Sequence, residues 1–187
     1  MRTRDPDKIQ RIKDATIRLI LREGIENASV SKIAREAGVS PATIYVYYDS
    51  KEEMLAEVYR EYARQSYLYM MHGIRPEMSG RDLIDSLVRN YFSFSIEHEE
   101  IFSFVEQCTH CPTLSETVSL EECSYDVLDL FSRLQERGEM RHFSHTNLGA
   151  VIFAPVRYLV MNRKYTPDDS RSELDELVAM LQRMLLM

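Results

Sequence analysis

The chain has 187 residues, 44% hydrophobic and 28% charged, with six Gly and six Pro; such sparse breakers with regular apolar spacing exclude disorder, low complexity and loop-rich all-β folds and leave a helical protein. Three cysteines, Cys108, Cys111 and Cys123, lie behind a charged start with no apolar run after it, so no signal peptide, disulfide framework or membrane span is expected, and a cytoplasmic location is. The formal charge of −7 disfavours nucleic acid until it is divided: residues 1–51 carry ten Lys/Arg and seven Asp/Glu, net +3, and the rest 13 and 23, net −10.

From Asp5-Pro6 onward Ile9, Ile12, Ala15 and Leu19 recur at helical intervals, Ile20 widens the stripe and Gly24 follows, which predicts a first helix. Ser29 caps a short second helix with Val30, Ile33, Ala34 and Ala37 inward, ending at Gly38. The next stretch, Ser40-Pro41-Ala42-Thr43-Ile44-Tyr45-Val46-Tyr47-Tyr48, is in conflict with itself. Its last six residues favour strands, yet Ser-Pro is a helix start, and no other strand or hairpin signal offers a pairing partner. A helix of about two turns is predicted, with Ile44 and Tyr48 on one face and Thr43, Val46 and Tyr47 on another. Asp49-Ser50 then caps a fourth helix with Glu52 and Glu53 in its first turn.

Beyond Gly73 helices are predicted over 79–98, 100–111, 114–138, 144–164 and 170 to the end, with Gly and Pro at the breaks. The penultimate one is apolar nearly all round (Leu148, Val151, Ile152, Phe153, Val156, Leu159), so it needs cover on every side, and a partner subunit supplies it.

Helices two and three around a Gly-centred turn form a helix-turn-helix, whose second helix enters the DNA major groove. Ala42 and Val46 suit a thymine methyl, Thr43 a base or phosphate, and Tyr45 and Tyr47 phosphate oxygens. Ser29 and Ser31 with the free N–H groups of helix two offer a phosphate clamp, Lys51 adds positive charge, and Arg2 and Arg4 suit a flexible arm. Residues 27–55, NASVSKIAREAGVSPATIYVYYDSKEEML, resemble the DNA-binding signature of the TetR/AcrR family of bacterial repressors, with Ile-Ala in helix two, Ala-Gly-Val-Ser at the turn, Thr-Ile-Tyr in the recognition helix and Ser-Lys-Glu opening helix four.

The resemblance implies DNA contacts from Ser31, Pro41, Ala42, Thr43, Tyr45, Val46, Tyr47 and Lys51, to which the caps Ser29 and Ser40 are added, and core roles for Ile33, Ala34, Ile44 and Tyr48. It further implies a homodimer held by the last two helices and a small-molecule effector site in the acidic body. The expected architecture is all-α: a three-helix DNA-binding head, residues 1–51, and a larger ligand-binding and dimerisation body, 52–187, with about nine helices in all. One departure is that the recognition helix has no Arg, Lys, Asn or Gln, the usual bidentate readers of guanine and adenine. Methyl contacts, Ser31 or Lys32, and DNA shape are left to select the sequence.

Effector-lining candidates are Tyr62, Tyr69, Met70, Tyr91, Phe102 and Phe153, since tyrosine and methionine make adaptable apolar pockets with polar handles. Cys108-Thr109-His110-Cys111 presents two thiols and a histidine, and a thiol- or metal-responsive sensor is the alternative reading. Four ligands are needed for structural zinc, and Cys123, His142 and His145 are far off in sequence, so inert thiols and no metal or other cofactor are expected. No carboxylate pair is tied to a nucleophile, so an enzyme is not expected. The overall expectation is a ligand-responsive repressor that binds a pseudo-palindromic double-stranded DNA operator as a homodimer, with no membrane partner.

Overall fold

Asp5 starts the first helix. A computed structural model describes residues 5–112, 114, 121–162 and 167–187, with the backbone alone for 121–126 and 167–170. Among the described residues there are nine helices and no strand beyond an isolated bridge between Met140 and Leu186. None of the helices is long and apolar enough to cross a membrane. By packing, the chain divides into two compact units, Met1–Arg64 with His98–Leu120, and Gln65–Glu97 with Glu121–Met187. This is a different division from the functional one expected at residue 51.

The first unit contains α1 (Pro6–Glu23), α2 (Val30–Ala37), α3 (Pro41–Ile44), the first part of α4 (Lys51–Met70) and α6 (Glu99–Thr109). The Asp5 carboxylate accepts from the Asp7 N–H, and Pro6 occupies the first helical position, where its missing N–H costs nothing. Ile12, Ala15, Ile17, Leu19 and Ile20 of α1 are buried with Ile33, Ala34 and Ala37 of α2 and Met54, Leu55, Val58 and Tyr59 of α4. α4 opens on a capping box: Ser50 Oγ accepts from the Glu53 N–H at 3.0 Å, and the Glu53 carboxylate accepts from the Asp49 N–H at 2.5 Å. Gln10 Nε2 donates to Tyr62 Oη at 3.0 Å, and Tyr59 and Thr109 hydroxyls pair at 3.0 Å, which fixes α1 and α6 to α4.

The second unit contains α5 (Gly80–Glu97), α7 (Glu121–Glu136), α8 (His145–Met161) and α9 (Pro167–Leu185). Leu83, Ile84, Leu87 and Val88 of α5 meet Val127, Phe131 and Leu134 of α7, Leu148, Ile152 and Val156 of α8, and Leu174, Val178, Leu181 and Leu185 of α9. The helix expected over 114–138 is seen from Glu121; residues 113 and 115–120 lie outside the described part. Apart from α3, the remaining helix limits fall within three residues of expectation, the range over which caps and frayed ends trade places.

Among the described residues, α8 is fully buried along one face and exposed along another. Leu148, Ile152 and Val156 are buried, whereas Tyr158 is 67% and Met161 77% exposed; on α9 Met180 and Met184 are exposed too. Pro155, Tyr158 and Leu159 of α8 and Leu177 and Met180 of α9, with Glu173 and Glu176, line an open groove of about 550 Å³.

Candidate nucleic-acid interface

α2 ends in a Schellman turn. Gly38 has φ +67° and ψ +36°, its N–H bonds to the Arg35 carbonyl at 3.3 Å, and the Val39 N–H reaches back to the Ala34 carbonyl at 2.9 Å. A side chain at 38 would strain this left-handed backbone, so glycine sets the angle at which α3 leaves α2. Two residues later Ser40 Oγ accepts from the Thr43 N–H at 3.1 Å and pairs with the Thr43 hydroxyl at 2.9 Å, and Pro41 takes the first helical position.

The recognition helix is shorter than the two turns expected. α3 is four residues long, and Tyr45–Tyr47 continue as a turn, with Val46 N–H bonded to the Thr43 carbonyl at 3.2 Å and Tyr47 N–H to that of Ile44 at 2.9 Å. After Ala42 every residue is β-branched or aromatic and loses side-chain freedom against the preceding turn, so propagation stops once the caps are used.

The two faces nonetheless separate. Ile44 is 1% and Tyr48 3% exposed, in one core cluster with Ile33, Ala34 and Ala37, as expected of all four core positions. Tyr45 is 56% and Val46 55% exposed, next to exposed Ser40, Pro41 and Ala42 and half-buried Thr43. Tyr47 differs from Tyr45: its ring packs against the core, and its hydroxyl accepts from the Asp5 N–H at 3.3 Å. Ser29 is half-buried and caps α2 by accepting from the Lys32 N–H at 3.4 Å, Ser31 is exposed, and Lys51 is the half-buried first residue of α4. Ser40 to Tyr47 are thus contiguous, while Ser29, Ser31 and Lys51 sit at two other helix starts.

Much of the basic charge of this unit is neutralised internally. Arg22 and Arg18 bond Glu36 at 2.7 and 3.4 Å, Lys32 bonds Glu23 at 2.8 Å, and Lys13 pairs with Glu61. Hydrogen bonding from Arg22 holds the Glu36 carboxyl below its ordinary range, and Lys32 does the same for Glu23. Lys32 is therefore committed to Glu23 and to the Asn27 carbonyl at 3.0 Å rather than presented to a base. Among the described residues Lys51, Arg11 and Arg35 make no ion pair. Sequence reasoning overlooked Arg11 and Arg35. Arg11 Nη1 lies 3.9 Å from where a Cβ on Gly38 would stand, over the turn, and its place just before the inward Ile12 was the available signal.

The effector candidates fall into both units. Tyr62, edge-on to Phe104 with centroids 6.3 Å apart, and buried Phe102 belong to the first. In the second, Tyr69 packs on Phe94 at 5.4 Å and donates to Glu97 at 2.7 Å, Tyr91 meets Phe153 edge-on at 5.1 Å, and half-buried Met70 packs on the core. None of the six lines the groove between α8 and α9. Burial pushes the Cys108 thiol up to about 12, which leaves no thiolate at neutral pH, and Cys111 is half-buried. Among the described residues no three His, Cys, Asp or Glu side chains could hold a metal; the side chain of Cys123 lies outside them.

The family model of bacterial regulatory proteins of the tetR family matches residues 12–58, from the core of α1 to the start of α4. A fatty acid metabolism regulator protein of Bacillus subtilis is 31% identical over 86 residues, 46% of this chain and 44% of that protein. A TetR family transcription regulator from Marinobacter aquaeolei VT8 superposes with a TM-score of 0.83 at 24% identity, covering 100% of this chain and 99% of that one. The transcriptional regulator FadR of Bacillus subtilis in complex with stearoyl-CoA does so with 0.71 at 22% identity, covering 92% and 96%. With the signature in the matched region and a helical fold shared with TetR-family regulators, residues 12–58 belong to the tetR family of bacterial regulatory proteins.

Proposed function

We propose that the chain is a ligand-responsive repressor whose residues 1–51 bind a pseudo-palindromic operator and whose residues 52–187 bind an effector and a second copy. The observation that carries this reading is the recognition turn itself: Tyr45 and Val46 stand more than half exposed between buried Ile44 and Tyr48. A fold that buries the anchors and leaves neighbouring apolar and aromatic side chains in water has set that face aside for a partner. Ala42 and Val46 meet thymine methyls, Thr43 a base edge or phosphate, and Tyr45, Ser31, Ser40 and Lys51 the backbone, with Ser29 and Pro41 shaping the approach. The second copy packs on the uncovered side of α8 and α9, where Tyr158, Met161, Met180 and Met184 are exposed.

The effector is a small apolar molecule taken by the aromatic and methionine set of the body, among which Tyr69, Met70, Tyr91 and Phe153 share one unit. The stearoyl-CoA of the structurally similar FadR supports a long acyl chain as the chemistry to try first. Effector leverage equals its difference in affinity between the DNA-bound and released states.

The reading is tested by selecting duplexes from a random pool with the purified protein. The expected motif has two-fold symmetry with half-sites one helical turn, about 34–36 Å, apart. An asymmetric motif, or no enrichment, overturns it. Stearoyl-CoA titrated into the operator complex then releases the DNA if the acyl chain is the effector.

A further inference from the structure

Beyond the cap Ser40, the exposed side chains of the recognition segment are Pro41, Ala42, Tyr45 and Val46, paired four residues apart. The Tyr45 N–H bonds to the Pro41 carbonyl at 3.4 Å and the Val46 N–H to that of Thr43 at 3.2 Å. The backbone thus stays wound past the end of α3, and the exposed side chains gather on one side of it. That side is mostly apolar, with Val46 55% exposed.

The polar groups nearby are engaged within the protein or unable to discriminate. Ser40 Oγ accepts from the Thr43 N–H at 3.1 Å and shares a 2.9 Å hydrogen bond with the Thr43 hydroxyl. The Tyr47 hydroxyl accepts from the Asp5 N–H at 3.3 Å. Tyr45 and, on α2, Ser31 each carry one exposed hydroxyl. A lone hydroxyl both donates and accepts, so it bonds any base edge and separates none. Residues 40–48 contain no bidentate reader of guanine or adenine. Lys32 is held by Glu23 and the Asn27 carbonyl, and Arg11, Arg35 and Lys51 stand on α1, α2 and α4 rather than on the recognition segment.

What the segment can offer a base edge is therefore apolar surface. The major groove has one apolar group that marks a base, the methyl on C5 of thymine. In 5-methylcytosine the same methyl stands on the same ring carbon. We propose that the chain selects its operator by C5-methyl groups, taken by Val46 with Ala42 beside it, so that 5-methylcytosine can replace thymine at the positions read. This rests on the DNA-binding reading above and narrows it to a chemical class of operator: half-sites marked by methyls, with hydrogen bonds to the bases of minor weight.

Modified DNA and the wild-type protein test this. In the selected operator each thymine of the half-sites is replaced in turn by deoxyuridine, which keeps the hydrogen-bonding groups of the base and lacks only the methyl. Burying one such group is worth about fourfold in affinity, so at least one thymine per half-site should bind about fourfold more weakly as deoxyuridine, and about sixteenfold when both half-sites are changed. At the same position a cytosine·guanine pair should bind about fourfold more tightly once the cytosine is 5-methylated. Val46 is more than half exposed, so Val46→Ala keeps the fold, and in it the deoxyuridine penalty at one of these positions should shrink below about twofold. Deoxyuridine that binds like thymine throughout, 5-methylation without effect, or penalties that Val46→Ala leaves intact each overturn the proposal. A pool that enriches no operator fails the DNA-binding reading as well, whereas an enriched operator indifferent to its methyls fails this inference alone.

Discussion

On the proposed DNA-binding face, Lys51 and Tyr45 are two kinds of grip on a phosphate, one charged and one neutral. Lys51→Ala should lower the salt slope of operator binding by about 0.9, while Tyr45→Phe should weaken matched and mismatched operators alike with the slope unchanged. Because Tyr45 is 56% exposed, its loss of a hydroxyl should leave folding within about 0.5 kcal/mol of wild type by urea titration. Cys108 gives a second residue-scale outcome. Its thiol, raised by burial to about 12, should resist alkylation at pH 8 until the protein is denatured, as peptide mass spectrometry would show. Between the ordinary thiol value and about 12 the folded state holds a proton that the unfolded chain has released, so this group's stabilising contribution is lost as pH rises through that window. Individual anchors were legible in the sequence because Ile33, Ala34, Ile44 and Tyr48 follow helical spacing. The separation of Tyr45 from Tyr47 was not, since it depends on a contact 42 residues away that no local pattern encodes.

Among the elements, α3 is the least self-sufficient. It is four residues long and is held by Ser40 before it, the Gly38 turn, and Ile44 and Tyr48 beneath it. Ser40→Ala should cost about 1 kcal/mol of stability, the ordinary worth of such a cap, and Ile44→Ala about 2–5 kcal/mol as a cavity opens in the core. Chemical unfolding followed by circular dichroism measures both. Equal and negligible costs would mean that α3 is held in some other way. Starts of helices were readable here because caps are chemistry local to three or four residues: Asp5, Ser29, Ser40 and Ser144 each accept from an N–H of the first helical turn. The length of α3 was not, because the caps say where a helix begins and the weak helix formers after Ala42 say only that it costs something to go on.

For the whole molecule, the proposed assembly is tested at the exposed side chains of α8 and α9. Met180→Asp places a charge in the groove lined by Pro155, Tyr158, Leu159 and Leu177, and should give a folded monomer by sedimentation. Its operator affinity should fall at least about a hundredfold, because the second half-site is no longer held at high effective concentration. A dimer that survives the substitution would place the interface elsewhere. That the penultimate helix is apolar nearly all round was legible in the sequence, since this is a property of composition. Which side stays open was not readable, because it depends on how α5, α7 and α9 share the remaining surface. The brevity of α3 also bears on how this molecule can change over evolutionary time. Its exposed positions, Ala42, Tyr45 and Val46, contribute little to the core, so they can be exchanged without disturbing the anchors. On the proposed reading, operator preference is a short, rewritable address on an otherwise settled body, and a library randomised at those three sites is a route to new addresses that still fold.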